Sequence, residues 1–196
     1  MICGIILAAG DSTRMARPKA LLTYRGKTFL ETVCDNMRAA GVYDITVVLG
    51  RHQEQILADW KRNCERVAAN PNPSDGQLSS VNTGISALPQ YASAVLLALV
   101  DQPTVSSDSY EDLVKMSQAN PETIIIPRCN GKRGHPIILP KNAWPLCAQA
   151  PLDKGLHWVT HHPDVKVLDI EVTDTGILRD IDTPADYELL SSGGKK

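Results

Sequence analysis

Apolar residues along the chain fall into two alternating patterns. Short, uninterrupted apolar runs are typical of strands buried on both faces of a parallel sheet. The run at 94–100 is the most apolar and stops abruptly at Asp101, so it is predicted to be the central strand. The other predicted strands are 2–7, 45–49, 66–69, 123–126 and 165–170.

Between these runs, apolar residues recur every three or four positions, which is the spacing of one helix face. Ser79 or Ser80 is predicted to cap a helix that runs to about residue 88. Thr183 is predicted to cap a last helix that begins at Pro184. The other predicted helices are 28–40, 53–62, 107–120 and, in two pieces broken at Pro151, 141–162.

The alternation of strands and helices predicts an α/β protein, a three-layer α/β/α sandwich around a mostly parallel, Rossmann-like sheet. Glycines and prolines around 137–139 predict a hairpin-like excursion over 128–140. The length of 196 residues suits one well-buried domain. That domain is predicted over 1–190, and a flexible, polar tail is predicted at 191–196.

Composition argues against several classes of protein. A net charge of −2 makes nucleic acid and anionic membranes unsuitable as general partners. No run reaches the roughly 18 apolar residues of a membrane span, and the N-terminus lacks the basic start of a signal peptide. The five cysteines are widely spaced without a CxxC pair, which argues against a disulfide framework or a zinc knuckle. These features predict a cytoplasmic protein with reduced thiols.

Charge is unevenly distributed along the chain. Residues 11–27 hold five bases against one acid, whereas residues 168–190 hold seven acids against one base. Two solvated faces would explain this asymmetry, and so would an anion site beside a metal site. Ligands of a parallel sheet lie beyond the carboxyl ends of its strands. That rule selects the loops 8–27, 70–79 and 101–105 as candidate sites.

The first of these loops has the composition of a phosphate-binding loop. Its small residues let the backbone approach a ligand closely, and consecutive N–H groups can cradle phosphate oxygens. Arg14 can fork onto a triphosphate, and Lys19 supplies a mobile point charge. An ordinary polar loop with solvated bases is the alternative. The glycine patterns of Rossmann and P-loop nucleotide sites are both missing.

Carboxylates at two other places suit a metal. Asp101 ends the most buried strand, at the edge where a ligand is expected, and Mg²⁺ takes one or two carboxylates plus substrate phosphate oxygens. Asp180 and Asp182 alternate, so in an extended chain they point the same way. A turn at Asp101 and a helix cap at Asp182 are the structural alternatives, and a cap and a metal role are compatible.

These motifs together resemble the MobA-like NTP transferases, and in particular the molybdenum cofactor cytidylyltransferases. The resemblance covers nearly the whole chain, since five segments match in the right order. The matching segments are the loop from Leu7 to Met15 with Pro18-Lys19, Asn70-Pro71 with Gly76 and Ser79-Ser80, Asp101-Gln102-Pro103, Gly134-His135-Pro136, and Asp180 to Pro184.

The resemblance implies a role for each matching position. Arg14 and Lys19 would be catalytic, through charge that they stabilise on the phosphates. Asp101 and Asp182 would hold Mg²⁺, with Asp180 as a less direct candidate. His135 and Gln102 would lie near the acceptor. The nucleotide-binding residues would be Leu7, Ala8, Ala9, Gly10, Ser12, Arg14, Lys19, Asn70 and Ser80.

The implied reaction is an in-line attack by a phosphate oxygen of the acceptor on the α-phosphorus of an NTP, with pyrophosphate leaving. The resemblance favours CTP as the NTP and molybdopterin as the acceptor, with a molybdoenzyme of the xanthine dehydrogenase type as a plausible recipient. A sugar-1-phosphate acceptor is the alternative within enzymes. A nucleotide-binding chaperone or regulatory module without turnover is the alternative from another class.

Two residues depart from the family pattern. Ala16 stands where a glycine is usual, so the backbone there is less free to adopt positive φ. Thr23 replaces the usual proline after two leucines. Neither change removes a charged group, so they bear on the shape of the loop and not on the reaction class.

Overall fold

A computed structural model describes residues 1–12, 14–15 and 17–192 of the protein. The strands are β1 (Ile2–Ala8), β2 (Thr23–Tyr24), β3 (Lys27–Thr28), β4 (Ile45–Leu49), β5 (Arg66–Ala69), β6 (Ala94–Leu99), β7 (Thr123–Cys129), β8 (Lys132–Arg133), β9 (Ile137–Pro140) and β10 (Lys166–Glu171). The helices are α1 (Phe29–Ala39), α2 (Gln53–Asp59), α3 (Gln77–Ser86), α4 (Ser107–Ala119), α5 (Trp144–Gln149), α6 (Gly155–Thr160) and α7 (Pro184–Ser192).

A mostly parallel sheet forms the middle layer, which confirms the predicted fold class. Its strand order is β10-β7-β9-β6-β1-β4-β5, with β8 paired to β7. Strand β6 lies at the centre of this order, where the most apolar run was expected. The predicted excursion contributes β9 to the sheet itself, because β9 inserts antiparallel between β6 and β7.

Helices cover both faces of the sheet and divide the core in two. Alternate residues of β1 point to opposite sides, so Ile6 packs with α1 and α4 while Ile5 packs with α3, α5 and α6. A sheet buried on both faces explains why its strands read as continuous apolar runs. In the part of the chain that the structure describes, every helix is too short or too polar to cross a membrane.

Local sequence signals set several helix ends. Thr28 caps α1 in a reciprocal capping box with Glu31, and Gly41 follows the helix with φ +81°. Thr183 caps α7 as predicted, because its hydroxyl accepts a hydrogen bond from the Asp186 N–H at 3.2 Å. Helix α7 continues through Ser192, so the first two residues of the predicted tail are helical, and 193–196 lie outside the described residues.

Two local predictions differ from the structure, and one local feature was not predicted. Helix α3 begins at Gln77 behind Gly76, so Ser79 and Ser80 lie inside the helix and do not cap it. Helix α2 ends at Asp59, because Trp60 turns to extended backbone and packs into the core. A small hairpin of β2 and β3, which turns at positive φ, was not predicted.

Candidate active site

The loops that follow β1, β5 and β6 converge at the carboxyl edge of the sheet and enclose two adjoining cavities. The first has a volume of about 260 Å³, and its lining includes Gly10, Ser12, Arg14, Lys19, Asp101 and Asp182. The second has a volume of about 250 Å³, and its lining includes Leu7, Ala9, Gly10, Gly76, Gln77 and Ser80. Both cavities share Leu7, Gly10 and Asp101, so they form one continuous cleft.

Lys19 is the centre of the charged half of the cleft. Its ammonium group donates to Asp101 Oδ2 at 2.8 Å and also to Asp182 Oδ1. Partial burial works to lower the pKa of Lys19, but the two carboxylates outweigh it and the pKa is raised. The hydrogen bond from Lys19 holds the pKa of Asp182 below its usual value. Lys19 is therefore a charged group at the pH of a cell.

The backbone around Lys19 is fixed while its side chain projects into the cleft. Lys19 opens a short 3₁₀ helix whose next two residues, Ala20 and Leu21, are buried in the core. Its N–H donates to Ser12 Oγ at 3.1 Å, which joins the two ends of the loop. Ser12 itself adopts φ +47°, a conformation that brings backbone groups of the loop to one side.

Arg14 is held more loosely than Lys19. Its guanidinium lies 3.5 Å from Asp182 Oδ2, and its side chain is 64% exposed. An exposed ion pair of this kind contributes little to stability. Arg14 is therefore available to turn toward an anion that enters the first cavity.

One backbone contact brings the acidic C-terminal motif to the end of the central strand. The Ile181 N–H donates to the Asp101 carbonyl at 2.9 Å, and Ile181 is fully buried. Asp182 is thereby placed beside Asp101, although the two lie far apart in sequence. This contact explains how the acidic segment and the basic loop, which composition alone set apart, form a single site.

Asp180 and Asp182 have different partners. Asp180 Oδ1 accepts a hydrogen bond from Gln102 Nε2 at 2.8 Å, whereas Asp182 pairs with Lys19 and Arg14. Burial, followed by the charges of Asp101 and Asp182, raises the pKa of Asp180. The two carboxylates flank the buried Ile181, but they are bound by groups on different elements.

The second cavity is polar at the start of α3. The buried Asn70 amide donates to Ser79 Oγ and to Ser80 Oγ, both at 2.9 Å. Ser80 lines the cavity, and Asn70 lies behind it. The hydrogen bond from Asn70 therefore orients Ser80. The direct contact between Asn70 and the nucleoside stays a prediction. Gln77, which sequence reasoning missed, also lines this cavity.

Gly50 is a second residue that sequence reasoning missed. It follows β4, where a Cβ atom would lie 2.5 Å from the Ala9 carbonyl oxygen. Only glycine permits this approach, so Gly50 sets the position of the loop after β1. The signal for it was a glycine directly behind a predicted strand, next to a loop already singled out.

The predicted acceptor residues lie in a layer behind the carboxylates. Gln102 is buried, and its amide donates to Asp180 and, at 3.3 Å, to the Ile177 carbonyl. The His135 N–H donates to the same carbonyl at 3.1 Å. Burial lowers the pKa of His135 to about 4, against the opposing charge of Asp101, so its imidazole is neutral. Neither side chain is among those that line the two cavities, and their acceptor contacts stay predictions.

The residues present fit a divalent cation held jointly with a substrate. Asp101 and Asp182 both contact one ammonium group, so their oxygens converge on a single cationic position. Mg²⁺ characteristically binds through one or two carboxylates plus phosphate oxygens. Among the described residues, no group of three or more His, Cys, Asp or Glu side chains is arranged to hold a metal without such help. Asp180 does not contact Lys19, so Asp182 is the better second ligand.

The comparison with protein families agrees with this geometry. The family described as the MobA-like NTP transferase domain matches residues 4–166. The chain belongs to this family. The match includes Arg14, Lys19, Asn70 and Asp101 and ends before Asp182, which the fold brings to the same site. The chain is therefore a member of a nucleotidyltransferase family by sequence, and its mostly parallel sheet is consistent with that assignment.

Individual relatives do not share one name. Nicotine blue oxidoreductase of Paenarthrobacter nicotinovorans is 31% identical and covers 96% of each chain. The molybdenum cofactor cytidylyltransferase of Escherichia coli K12 is 27% identical and covers 93% of this chain and 92% of its own. The crystal structure of Rv0371c from Mycobacterium tuberculosis aligns with a TM-score of 0.86 at 28% identity over 96% of each chain, and a manganese complex of the same protein aligns with a TM-score of 0.78.

The two departures from the family pattern have separate outcomes. Ala16 lies outside the described residues. Thr23 has a visible role, because its N–H donates to the Tyr187 hydroxyl at 3.3 Å and its carbonyl accepts from that hydroxyl at 3.1 Å. A proline at this position would lack the N–H. Thr23 thus ties the loop that carries Lys19 to α7, which begins beside Asp182.

Proposed function

We propose that this MobA-like protein transfers CMP from CTP to molybdopterin, in a magnesium-dependent reaction that releases pyrophosphate. The single observation that carries a transfer reaction is the bridge from Lys19 to both Asp101 and Asp182 inside one cleft. Two carboxylates that can bind a cation, placed beside two basic side chains, can together neutralise the charge of a triphosphate. The cytidylyltransferase of Escherichia coli K12 supports the choice of CTP and molybdopterin.

The cleft divides naturally between the parts of a nucleotide. We assign the triphosphate to the cavity that contains Arg14 and Lys19, and the nucleoside to the cavity that contains Gln77 and Ser80. Asp101 borders both cavities, which is where the α-phosphate would lie. The acceptor phosphate would attack that phosphorus from the side opposite the leaving pyrophosphate.

Catalysis in this scheme rests on positioning and charge. Arg14 and Lys19 neutralise the charge that develops on the departing pyrophosphate. The acceptor phosphate is already ionised, so no general base is required. A magnesium ion held by Asp101 and Asp182 would add charge neutralisation on the phosphate oxygens. Gln102 holds Asp180 behind this site, and neutral His135 adds no charge to it.

The test is pyrophosphate release from each of the four NTPs with three acceptor conditions. Molybdopterin, a sugar 1-phosphate and no acceptor are compared, each with Mg²⁺ and with a chelator. We expect release only with CTP, molybdopterin and Mg²⁺ together. Release with the sugar phosphate alone would replace the acceptor assignment. Binding of CTP without release under any condition would overturn the proposal in favour of a non-catalytic nucleotide-binding module.

The name of the relative from Paenarthrobacter nicotinovorans calls for a further arm of this test. The same preparation is assayed for reduction of nicotine blue, with nicotinamide cofactors as electron donors. We expect no reduction above the rate without protein, because the glycine pattern of a Rossmann dinucleotide site is missing from the sequence. Dye reduction without pyrophosphate release would overturn the transferase assignment for this chain.

The finished cofactor would pass to a molybdoenzyme, and we propose one of the xanthine dehydrogenase type as the recipient.

A further inference from the structure

Lys19 occupies the point at which the two candidate metal ligands converge. Its ammonium group contacts Asp101 Oδ2 and Asp182 Oδ1 at once, and its side chain is only 15% exposed. A cation bound by those two oxygens would need the same space. The lysine and the metal therefore compete for one position.

The four side chains in direct contact at this position carry balanced charges before any ligand enters. Lys19 and Arg14 carry two positive charges, and Asp101 and Asp182 carry two negative ones. A divalent cation added alone would face the ammonium group at contact distance and leave an excess of positive charge in a partly buried site. A triphosphate added with the cation supplies the missing negative charge and gives Lys19 and Arg14 new partners.

We propose that Lys19 is a resident counter-cation that keeps the metal position closed until nucleotide arrives, so that the metal and the triphosphate bind together. The inference rests on the metal assignment made under the proposed function. It goes beyond that assignment because it gives Lys19 a second task before the reaction, which is to suppress metal binding by the free protein.

The structure provides a way for the switch to operate without moving the backbone. The Lys19 N–H is fixed to Ser12 Oγ at 3.1 Å, and the residues after it are anchored in the core. The side chain has rotatable bonds and borders a cavity of about 260 Å³, so the ammonium group has space to swing from the carboxylates to a phosphate. Arg14, which is largely exposed, can leave Asp182 at the same time.

The test measures Mn²⁺ binding to the nucleotide-free protein by the electron paramagnetic resonance signal of unbound Mn²⁺. We expect Lys19→Met to bind Mn²⁺ about tenfold or more tightly than the wild type, within the usual range of coupling between sites. Lys27→Met is the matched control, because Lys27 pairs with Asp35 at 2.6 Å in an exposed position away from the cleft. That variant should bind Mn²⁺ as the wild type does. Adding Asp182→Asn to Lys19→Met should abolish the gain.

Equal Mn²⁺ affinity in the wild type and Lys19→Met would overturn the inference, as would a gain that survives Asp182→Asn. Should Lys19→Met fail to fold, the ¹⁵Nζ resonance of Lys19 in the wild type provides the test. It should stay unchanged with Mg²⁺ alone and shift with Mg²⁺ and a non-hydrolysable CTP analogue; a shift with Mg²⁺ alone would overturn the inference. Two outcomes separate this inference from the proposed function. Normal pyrophosphate release by the wild type, together with equal Mn²⁺ affinities of wild type and Lys19→Met, would remove only this inference. Tighter Mn²⁺ binding by Lys19→Met, together with no pyrophosphate release by the wild type, would remove only the proposed function.

Discussion

The Ile181 N–H donates a 2.9 Å hydrogen bond to the Asp101 carbonyl, and this contact joins the two acidic segments of the site. Asp101 lies in the turn directly after the central strand β6, whereas Ile181 lies in the loop before α7. Because Ile181 is buried, the side chains on either side of it are directed outward, Asp180 to Gln102 and Asp182 to Lys19. The contact therefore decides which carboxylate faces the cleft, and two predictions depend on it.

The first prediction concerns Lys19. We expect Lys19→Ala to lower kcat by about 10²- to 10³-fold, the usual loss when one charge-stabilising donor is removed from an active site. NTP binding should weaken far less, because Arg14 and the loop backbone remain. Single-turnover kinetics and equilibrium titration separate the two effects. Lys27→Ala is the control, and an unchanged kcat in Lys19→Ala would contradict the assignment.

The second prediction separates the two aspartates of the C-terminal motif. Asp182→Asn should raise the Mg²⁺ concentration needed for half-maximal turnover and lower kcat, because its carboxylate faces the cationic position beside Asp101. Asp180→Asn should keep most of the Mg²⁺ response, because Asp180 pairs with Gln102. Pyrophosphate release measured across a Mg²⁺ series distinguishes them. The reverse ranking of the two variants would assign the metal to Asp180.

Much of the fold was predictable because the inner strands β1, β4 and β6 are buried on both faces and therefore carry a continuous apolar signal. The bounds of β4 and β5 match the predicted runs at 45–49 and 66–69, and the central strand was identified from its composition. The insertion of β9 between β6 and β7 was not predictable, because strand order depends on contacts between distant residues. The start of α3 was misjudged because its N-terminus is set by Gly76 at φ +90°, where a serine cap was expected.

Prediction of the site was uneven for a similar reason. A lysine and two aspartates are residue types that indicate phosphate and metal binding. The fold brings Lys19, Asp101 and Asp182 together. Sequence spacing did not reveal that Lys19 bridges the other two. Nor did it reveal that Gln102 is buried against Asp180, because both facts depend on contacts between loops that are distant in sequence.

The third prediction compares Gly50, which supports the loop after β1, with Gly10 in that loop. Gly50→Ala should destabilise the protein by about 1–3 kcal/mol, because its Cβ would collide with the Ala9 backbone, which cannot move aside without shifting the loop. Gly10→Ala should leave stability nearly unchanged, since open space surrounds that position among the described residues. It should nevertheless weaken nucleotide binding, because Gly10 lines both cavities. Urea denaturation and CTP titration provide the two measurements, and equal stability of the two variants would contradict the close approach of Gly50 to Ala9.

The last prediction concerns pH and His135. Burial lowers its pKa from 6.5 to about 4 in the folded protein, so between these values the unfolded chain binds more protons than the folded one. Stability therefore rises with pH through this window and is lost as the pH falls from 6.5 toward 4. The contribution amounts to about 2 kcal/mol between pH 7 and pH 5.

The lowered pKa of Asp182 acts in the same direction, but only at pH values below the usual pKa of an aspartate, so the two effects occur at different pH. Urea denaturation of the wild type and His135→Gln at both pH values checks this. We expect the variant to lose much of the pH dependence, and equal slopes in the two proteins would show that His135 titrates in the folded state as it does in water.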